Sequence, residues 1–272
     1  MRQHTFHATL TGASASAGEH LRRLRHQARL SQLDLSLIAG VSQRHLSCIE
    51  TGRAKASPST LHALLSALDV PLEGCNEVFL AAGYAPRYMA SAPDAPAMAM
   101  VHGAIGHILL ANNPAPAIVI ASNWDITAAN ASAGLLFDMA GVPAGSGSGL
   151  NLLDTLLRPG GLGDHLVNAE EIRAIAWQRA TREAASSPDL ARLLGELPCP
   201  PHLPLETAPT PVVLTRVRAR QGELRFLSTF TTFGMPLDIS VASLRIEHLI
   251  PADAHTWQVM TAAYAQYAAA QG

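Results

Sequence analysis

The sequence predicts a multi-domain chain: an all-α domain of short helices followed by an α+β domain built on an antiparallel sheet. Three observations carry this. Residues 18–84 repeat apolar side chains at helical spacing, between Ser starts and Gly stops. Residues 85–96, "APRYMASAPDAP", break the pattern with Pro, Ala and Ser and read as a linker. Beyond them, "AIVIASNWDITAAN" and "VVLTRVRARQGELRFLSTFTTF" carry strand-like runs between helical ones. The expected domains are therefore 18–84 and 97–272.

In the first domain, Leu21, Leu24 and Ala28 share one helix face. Ser31 can cap a second helix whose apolar face is Leu35, Ile38 and Ala39. Gly40 stands where the chain must turn sharply, since glycine accepts a positive φ at little cost. Ser42 can cap a third helix, with Leu46 and Ile49 facing inward. "ETGRAKASPS" reads as a loop, with Pro58 suited to the first turn of a fourth helix built on Leu61, Leu64, Leu65 and Leu68. A fifth helix runs from Leu72 to about Ala82 and stops at Gly83.

In the second domain, 97–112 reads as helix, and two short strands follow, joined by a polar turn at Ser122-Asn123. Asn130 can cap a helix through Met139, and "AGVPAGSGSGLN" reads as a flexible loop. "VNAEEIRAIAWQRATREAA" reads as a helix with Asn168 as cap and Glu171 as its capping-box partner, and "PDLARLLGEL" as another. The long hairpin turns at Gln221-Gly222, with Val213, Thr215, Val217 and Ala219 on one face and Leu214, Arg216, Arg218 and Arg220 on the other. Phe226 and Phe230 share a strand face by period two, and Phe233 lies on the opposite one unless a bulge intervenes. "SVASLRIEHLIP" is a last strand, with a helix from about Asp253.

Composition narrows the function classes. The chain has 272 residues, 48% hydrophobic and 15% charged, which excludes disorder. No run of about 18 uncharged apolar residues appears, so no membrane span is expected. The first twenty residues lack an apolar core and read as a mobile polar arm, not a signal peptide. Cys48, Cys75 and Cys199 fit neither a zinc site nor a disulfide framework, which suits a cytoplasmic protein, and Cys48 reads as a packing residue. The net charge of -2 is uneven: residues 18–57 hold seven Arg and Lys against three acids, and residues 91–272 ten against fifteen. A basic head on an acidic body fits a polyanion partner for the head alone, or ordinary solvated charge.

Two helices meeting at a glycine, with polar residues leading the second, fit a helix-turn-helix whose second helix enters the major groove N-terminus first. Gln43 can pair bidentately with adenine and Arg44 with guanine, because their donors and acceptors match those base edges. Gln32, at the start of the preceding helix, is placed for a phosphate, and Arg53 and Lys55 can neutralise neighbouring ones. The stretch from Gly18 to Pro71, with its Ser31-Gln32 start, Gly40-Val41-Ser42 turn and Ile49-Glu50-Thr51-Gly52-Arg53 ending, resembles the lambda-repressor-like, XRE-family helix-turn-helix domain. That resemblance covers about 18–84. It implies a phosphate-binding role for Gln32, base reading by Ser42, Gln43 and Arg44 with His45 beside them, and further DNA contacts at Ser47 and Arg53. It implies a structural role for Glu50.

Residues 97–272 contain no GxSxG, HExxH, P-loop or GxGxxG pattern. The twelve histidines scatter, with His102 and His107 five apart and His202, His248 and His255 isolated, so no metal or other cofactor is expected and no catalytic residue is assigned. "NPAPAIVIASNWDITAANASAGLLF", "NLLDTLLRPGGLGDHLVNAEEI" and the stretch from Thr215 to Asp253 resemble the MmyB-like ligand-binding domain found behind such helix-turn-helix units. The resemblance covers about 100–255. It implies a PAS-like fold, an antiparallel sheet with helices around a mostly apolar cavity, and a sensor of small apolar or amphiphilic molecules, with fatty acids as the ligand class. The need for apolar walls and one polar anchor singles out Trp124, Phe137, Trp177, Phe226 and Arg216 as candidate ligand contacts. The resulting expectation is a cytoplasmic, ligand-responsive, non-enzymatic transcription regulator that binds operator DNA as a homodimer and contacts no membrane. Two other classes stay open: a constitutive regulator whose second half only dimerises, and an enzyme fused to a DNA-binding module.

Overall fold

The computed structural model describes residues 15–142, 149–184, 187–201 and 212–271. Most of the expected N-terminal arm, the middle of the Gly/Ser loop and His202 lie outside the described residues. The chain divides into two compact units between Met89 and Ala90.

The first unit is five helices: α1 (Ala17–Gln27), α2 (Gln32–Ala39), α3 (Gln43–Glu50), α4 (Pro58–Ala67) and α5 (Leu72–Ala81). Ser16, Ser31, Ser42 and Ser57 each cap a helix through the side-chain oxygen, and Pro58 occupies the first turn of α4. Leu21, Leu35, Leu46, Ile49, Leu61, Leu64, Leu65, Val78 and Phe79 close the core. Burying each is worth about 1.5–3 kcal/mol. Gly18 permits a close approach of α1 to the end of α3, because a Cβ there would stand 2.3 Å from the Ile49 carbonyl oxygen. Ile38 corrects the expected face of α2. It is 60% exposed, whereas Leu35 and Ser36 are buried. Ser36 and Ile38 stand roughly 160° apart round the helix, so burying one turns the other outward. The Asn76 side chain binds the backbone of Arg87 and Tyr88, which fastens the residues after α5 to this unit.

The second unit opens with a 3-10 turn at Pro96–Met98 and α6 (Ala99–Asn112). Strands β1 (Ala117–Ile120) and β2 (Ile126–Ala129) precede α7 (Ala131–Ala140), α8 (Leu152–Leu157), α9 (Ala169–Glu183) and α10 (Pro188–Glu196). Then come β3 (Leu214–Ala219), β4 (Gly222–Thr232), a short α11 (Ile239–Ser243), β5 (Arg245–Pro251) and α12 (Ala254–Gln271). The five strands form one sheet in the order β2-β1-β5-β4-β3, every neighbouring pair antiparallel.

The pleat sorts side chains to the two faces. Ile118 and Ile120 join Leu153, Leu156, Val217, Leu224, Phe226 and Met260 on one side. Ala117, Val119 and Ile246 meet Ile105 and Leu109 of α6 on the other, with Phe233 packed against them. Phe226 and Phe233 therefore serve opposite faces, as their spacing predicts. The β3–β4 turn is one residue earlier than expected. Ala219 pairs with Gly222, whose φ is +111°, so Arg220 and Gln221 make the turn. Asn168 also departs from its expected role. It does not cap α9; its amide donates to Glu171 and to the Leu214 carbonyl, and its oxygen accepts from the Arg216 N–H.

Asn130 does more than cap α7. Its Oδ1 accepts from Ala133 N and Ala117 N, both at 3.0 Å, and its Nδ2 donates to Ala115 O at 2.8 Å and Leu109 O at 3.3 Å. One buried amide thus joins α6, β1 and α7. Asn130→Ala strands those backbone groups and is expected to cost about 2–4 kcal/mol in urea unfolding of the full chain. Asn130→Asp, which keeps the acceptor and loses both donors, is also expected to destabilise.

Candidate functional site

The turn between α2 and α3 is built by local chemistry. Ser31 and Asp34 form a reciprocal capping box that starts α2. Gly40, at φ +67°, closes it, and Ser42 Oγ accepts from His45 N–H to start α3. This leaves Gln43, Arg44 and His45 exposed on the first turn of α3, with Ser47 half-buried one turn on. Arg53 is exposed beyond the helix end, and its N–H is held by the Cys48 carbonyl at 2.8 Å. Lys55 is also exposed, its Nζ 4.6 Å from the centre of the Tyr84 ring.

Beneath that surface lies a buried ion pair. Arg25 of α1 grips Glu50 of α3 with two bonds, Nε to Oε1 at 2.7 Å and Nη2 to Oε2 at 2.9 Å, and Gln32 Nε2 adds a third at 2.9 Å. Both partners are more than nine-tenths buried. Burial alone would raise the Glu50 pKa, but the bonds from Arg25 and Gln32 together hold it below its ordinary value. Glu50 is the structural tie expected of it. The Gln32 side chain is engaged inward, while its backbone N–H opens the N-terminus of α2.

The second unit holds two adjoining cavities on the α8–α9 face of the sheet. One, of about 170 Å³, has Ile120, Trp124, Ala176, Phe230 and Arg245 in its wall. The other, of about 70 Å³, has Ile118, Leu136, Phe137 and Leu249 in its wall. Leu152, Leu156, Ile172, Thr215 and Glu247 border both. A larger, more polar groove of about 540 Å³ runs over the opposite face beside α6.

Sequence reasoning and structure place the cavity wall differently in part. Trp124 and Phe137 line it. Phe226 is fully buried in the core, and Trp177 packs against that core; neither is in the wall of these two cavities. Arg216 is also absent from the walls, because Glu223 holds it through Nε at 2.8 Å and Nη2 at 3.0 Å. With Arg225 also bonded to it, Glu223 is drawn down to a pKa of about 2.

The polar groups of the cavity were not singled out from sequence. Arg245 and Glu247 alternate with Ile246 along β5, so both reach the cavity face. Arg245 is buried, its Nη1 donating to Glu183 Oε2 at 3.1 Å and its guanidinium 4.6 Å from the centre of the Trp124 ring. Glu183 also accepts from Trp124 Nε1 at 2.8 Å and Arg179 Nε at 2.9 Å. Arg179 lies 4.1 Å over Phe230. Burial pushes the Glu247 carboxyl up from its ordinary pKa, and Ser228 Oγ donates to it. The available signal was the charged pair in "LRIEHLI", two residues apart in an otherwise apolar strand.

Among the described residues no three His, Cys, Asp or Glu side chains gather as metal ligands would, and no helix is long and apolar enough to cross a membrane.

Two family models match the chain, one on each unit. A family model described as the MmyB-like transcription regulator ligand binding domain matches residues 101–263. One described as a helix-turn-helix domain matches residues 16–77. The restriction-modification controller protein C.AhdI from Aeromonas hydrophila is 30% identical over 23% of this chain and 91% of its own, with a TM-score of 0.22. An RNA-binding Light-Oxygen-Voltage receptor is 13% identical, with 99% of this chain and 70% of that one covered and a TM-score of 0.27. No curated protein matches the chain.

The Glu50 tie yields a pH prediction. Glu50→Ala leaves Arg25 buried without its partner and is expected to cost about 3–5 kcal/mol. Because the folded pKa of Glu50 lies below its ordinary value of 4.5, its contribution is present above that pH and lost as pH falls through the folded pKa. The stability gap between wild type and Glu50→Gln in urea unfolding is therefore expected to be full at pH 7 and to narrow below about pH 4.

Proposed function

Starting from the chain's membership of the MmyB-like transcription regulator family, a DNA-binding regulator with a helix-turn-helix domain, we propose that it is a cytoplasmic, homodimeric sensor. In this reading its second unit takes up a small apolar or amphiphilic molecule, with fatty acids the class that the family resemblance suggests, and occupancy sets how well the first unit holds its operator. The observation that carries the ligand half is the pair of adjoining, mostly apolar cavities against the sheet. The DNA half rests on the exposed first turn of α3. There Ser42, Gln43 and Arg44 would read base edges with His45 beside them, Ser47 and Arg53 would make further DNA contacts, and Gln32 at the N-terminus of α2 would meet a phosphate. Homodimerisation follows from the small DNA surface one such helix covers and the two-fold symmetry of most operators.

Native mass spectrometry of the full chain tests the sensor directly. A dimer that retains a lipid-sized molecule, and releases or gains operator when that molecule is exchanged, is the expected result. A dimer that stays empty with every amphiphile offered would leave dimerisation as the only task of the second unit. For the DNA half, Arg44→Ala is expected to weaken specific operator binding by about 1–3 kcal/mol while changing non-specific binding little. Gel shifts showing unchanged operator affinity would remove Arg44 from the base-reading set.

A further inference from the structure

Among the described residues, the buried side-chain nitrogens and oxygens without a hydrogen-bond partner are two, Arg245 Nε and Arg245 Nη2. They belong to one guanidinium in the wall of the larger apolar cavity. The Arg245 side chain is 9% exposed, so water does little to satisfy it. Its position is fixed from two sides: Nη1 is held by Glu183, and the guanidinium lies against the Trp124 ring. What remains is the Nε–Nη2 edge.

That edge has a defined chemical complement, and this protein shows it twice. Arg25 uses Nε and Nη2 to hold both oxygens of Glu50, and Arg216 uses the same two atoms on both oxygens of Glu223. A planar fork of two parallel N–H groups fits a carboxylate. We infer that Arg245 is the anchor of the cavity, and that it selects a ligand carrying one carboxylate on an apolar body. This rests on the reading of the cavity as a ligand site and names what that site recognises.

The local charge agrees. Two cations, Arg179 and Arg245, share the single carboxylate of Glu183. Glu247 faces the same space but is bonded to Ser228 and pushed by burial towards its neutral form. The balance favours one added negative charge. Ile120, Leu152, Leu156 and Ile172 supply the apolar wall for the body of the ligand. Arg245 thus takes the place that sequence reasoning gave to Arg216, whose own fork is already filled by Glu223.

The test compares dodecanoate with 1-dodecanol, which share a tail and differ in the head. Each displaces the neutral fluorophore N-phenyl-1-naphthylamine from the full-length chain. Wild type is expected to bind dodecanoate at least about tenfold more tightly than the alcohol, as two charge-assisted bonds in a dry site should give. Arg245→Gln is expected to erase that preference while holding dodecanol affinity within about threefold, since the apolar wall is untouched. Arg245→Lys keeps the charge without the fork and is expected to fall between. Should the Gln variant not fold, the Lys variant and the wild-type head-group comparison still decide. Equal binding of acid and alcohol by wild type, or a preference that survives Arg245→Gln, overturns the anchor and leaves the cavity reading standing. Failure of both probes and the fluorophore to bind wild type overturns the cavity reading and the anchor together.

Discussion

A guanidinium taken out of water must have its N–H groups met, because its charge cannot be shed at any ordinary pH. That constraint organises the helix-turn-helix unit. Arg25 is buried under α1 and α3, and the carboxylate that meets it is the last residue of α3. Gln32, the first residue of α2, closes on the same carboxylate. Three helices are therefore pinned at one point behind the first turn of α3. The direction in which Gln43 and Arg44 project follows from this pin together with Gly40, which sets the bend between α2 and α3. Gly18 completes the arrangement, since any side chain there would push α1 off the end of α3 and pull Arg25 from Glu50.

The same constraint is only partly discharged in the second unit. Glu183 is asked to serve Arg179, Arg245 and Trp124 at once. Its bonds to all three outweigh the cost of burial and keep its pKa below the ordinary value. Glu183 meets each guanidinium through a single nitrogen, Arg179 Nε and Arg245 Nη1, so the Nε–Nη2 fork of Arg245 is left unfilled in the cavity wall. Trp124 helps to hold this geometry at a backbone cost. Its φ of +68° is unfavourable for a bulky residue. The turn is kept there by hydrogen bonds from its N–H to Ala121 O and from Leu152 N–H to its carbonyl.

What the sequence revealed and what it hid divide by distance along the chain. Ser31, Ser42 and Asn130 are readable as caps because a cap and its N–H lie within three residues. Periodicity likewise sorts Phe226 from Phe233, because the pleat alone decides the face. Asn168 looks like a cap by the same local logic, yet its partners include Leu214 and Arg216, 46 and 48 residues away, and the long-range bonds win. The cavity anchor fails to show for a similar reason. Arg216 and Arg245 both sit on strands, and nothing local tells them apart. The difference is that Glu223 pairs across a tight hairpin with Arg216, whereas Arg245 depends on a carboxylate 62 residues earlier. Ile38 misled because an eight-residue helix buries a stripe too narrow for every apolar residue it carries.

The geometry of β5 also bears on how a bound molecule could matter beyond its own cavity. Alternate residues of this strand face opposite ways. Arg245 and Glu247 border the cavity, whereas His248 lies on the α6 side, where burial lowers its pKa and keeps the ring neutral. A neutral imidazole has one donor and one acceptor. Nδ1 serves Asn112 Oδ1 at the end of α6, and Nε2 serves Thr231 Oγ1 of β4, both at 2.9 Å. Asn112 in turn donates to Ala115 and Pro116, at the entrance to β1. A ligand alters an equilibrium only by binding one arrangement better than another. An anion held by Arg245 would act on the strand that carries it. Any shift of β5 that followed would reach past the cavity face, because the same strand carries the imidazole joining α6, β4 and the start of β1.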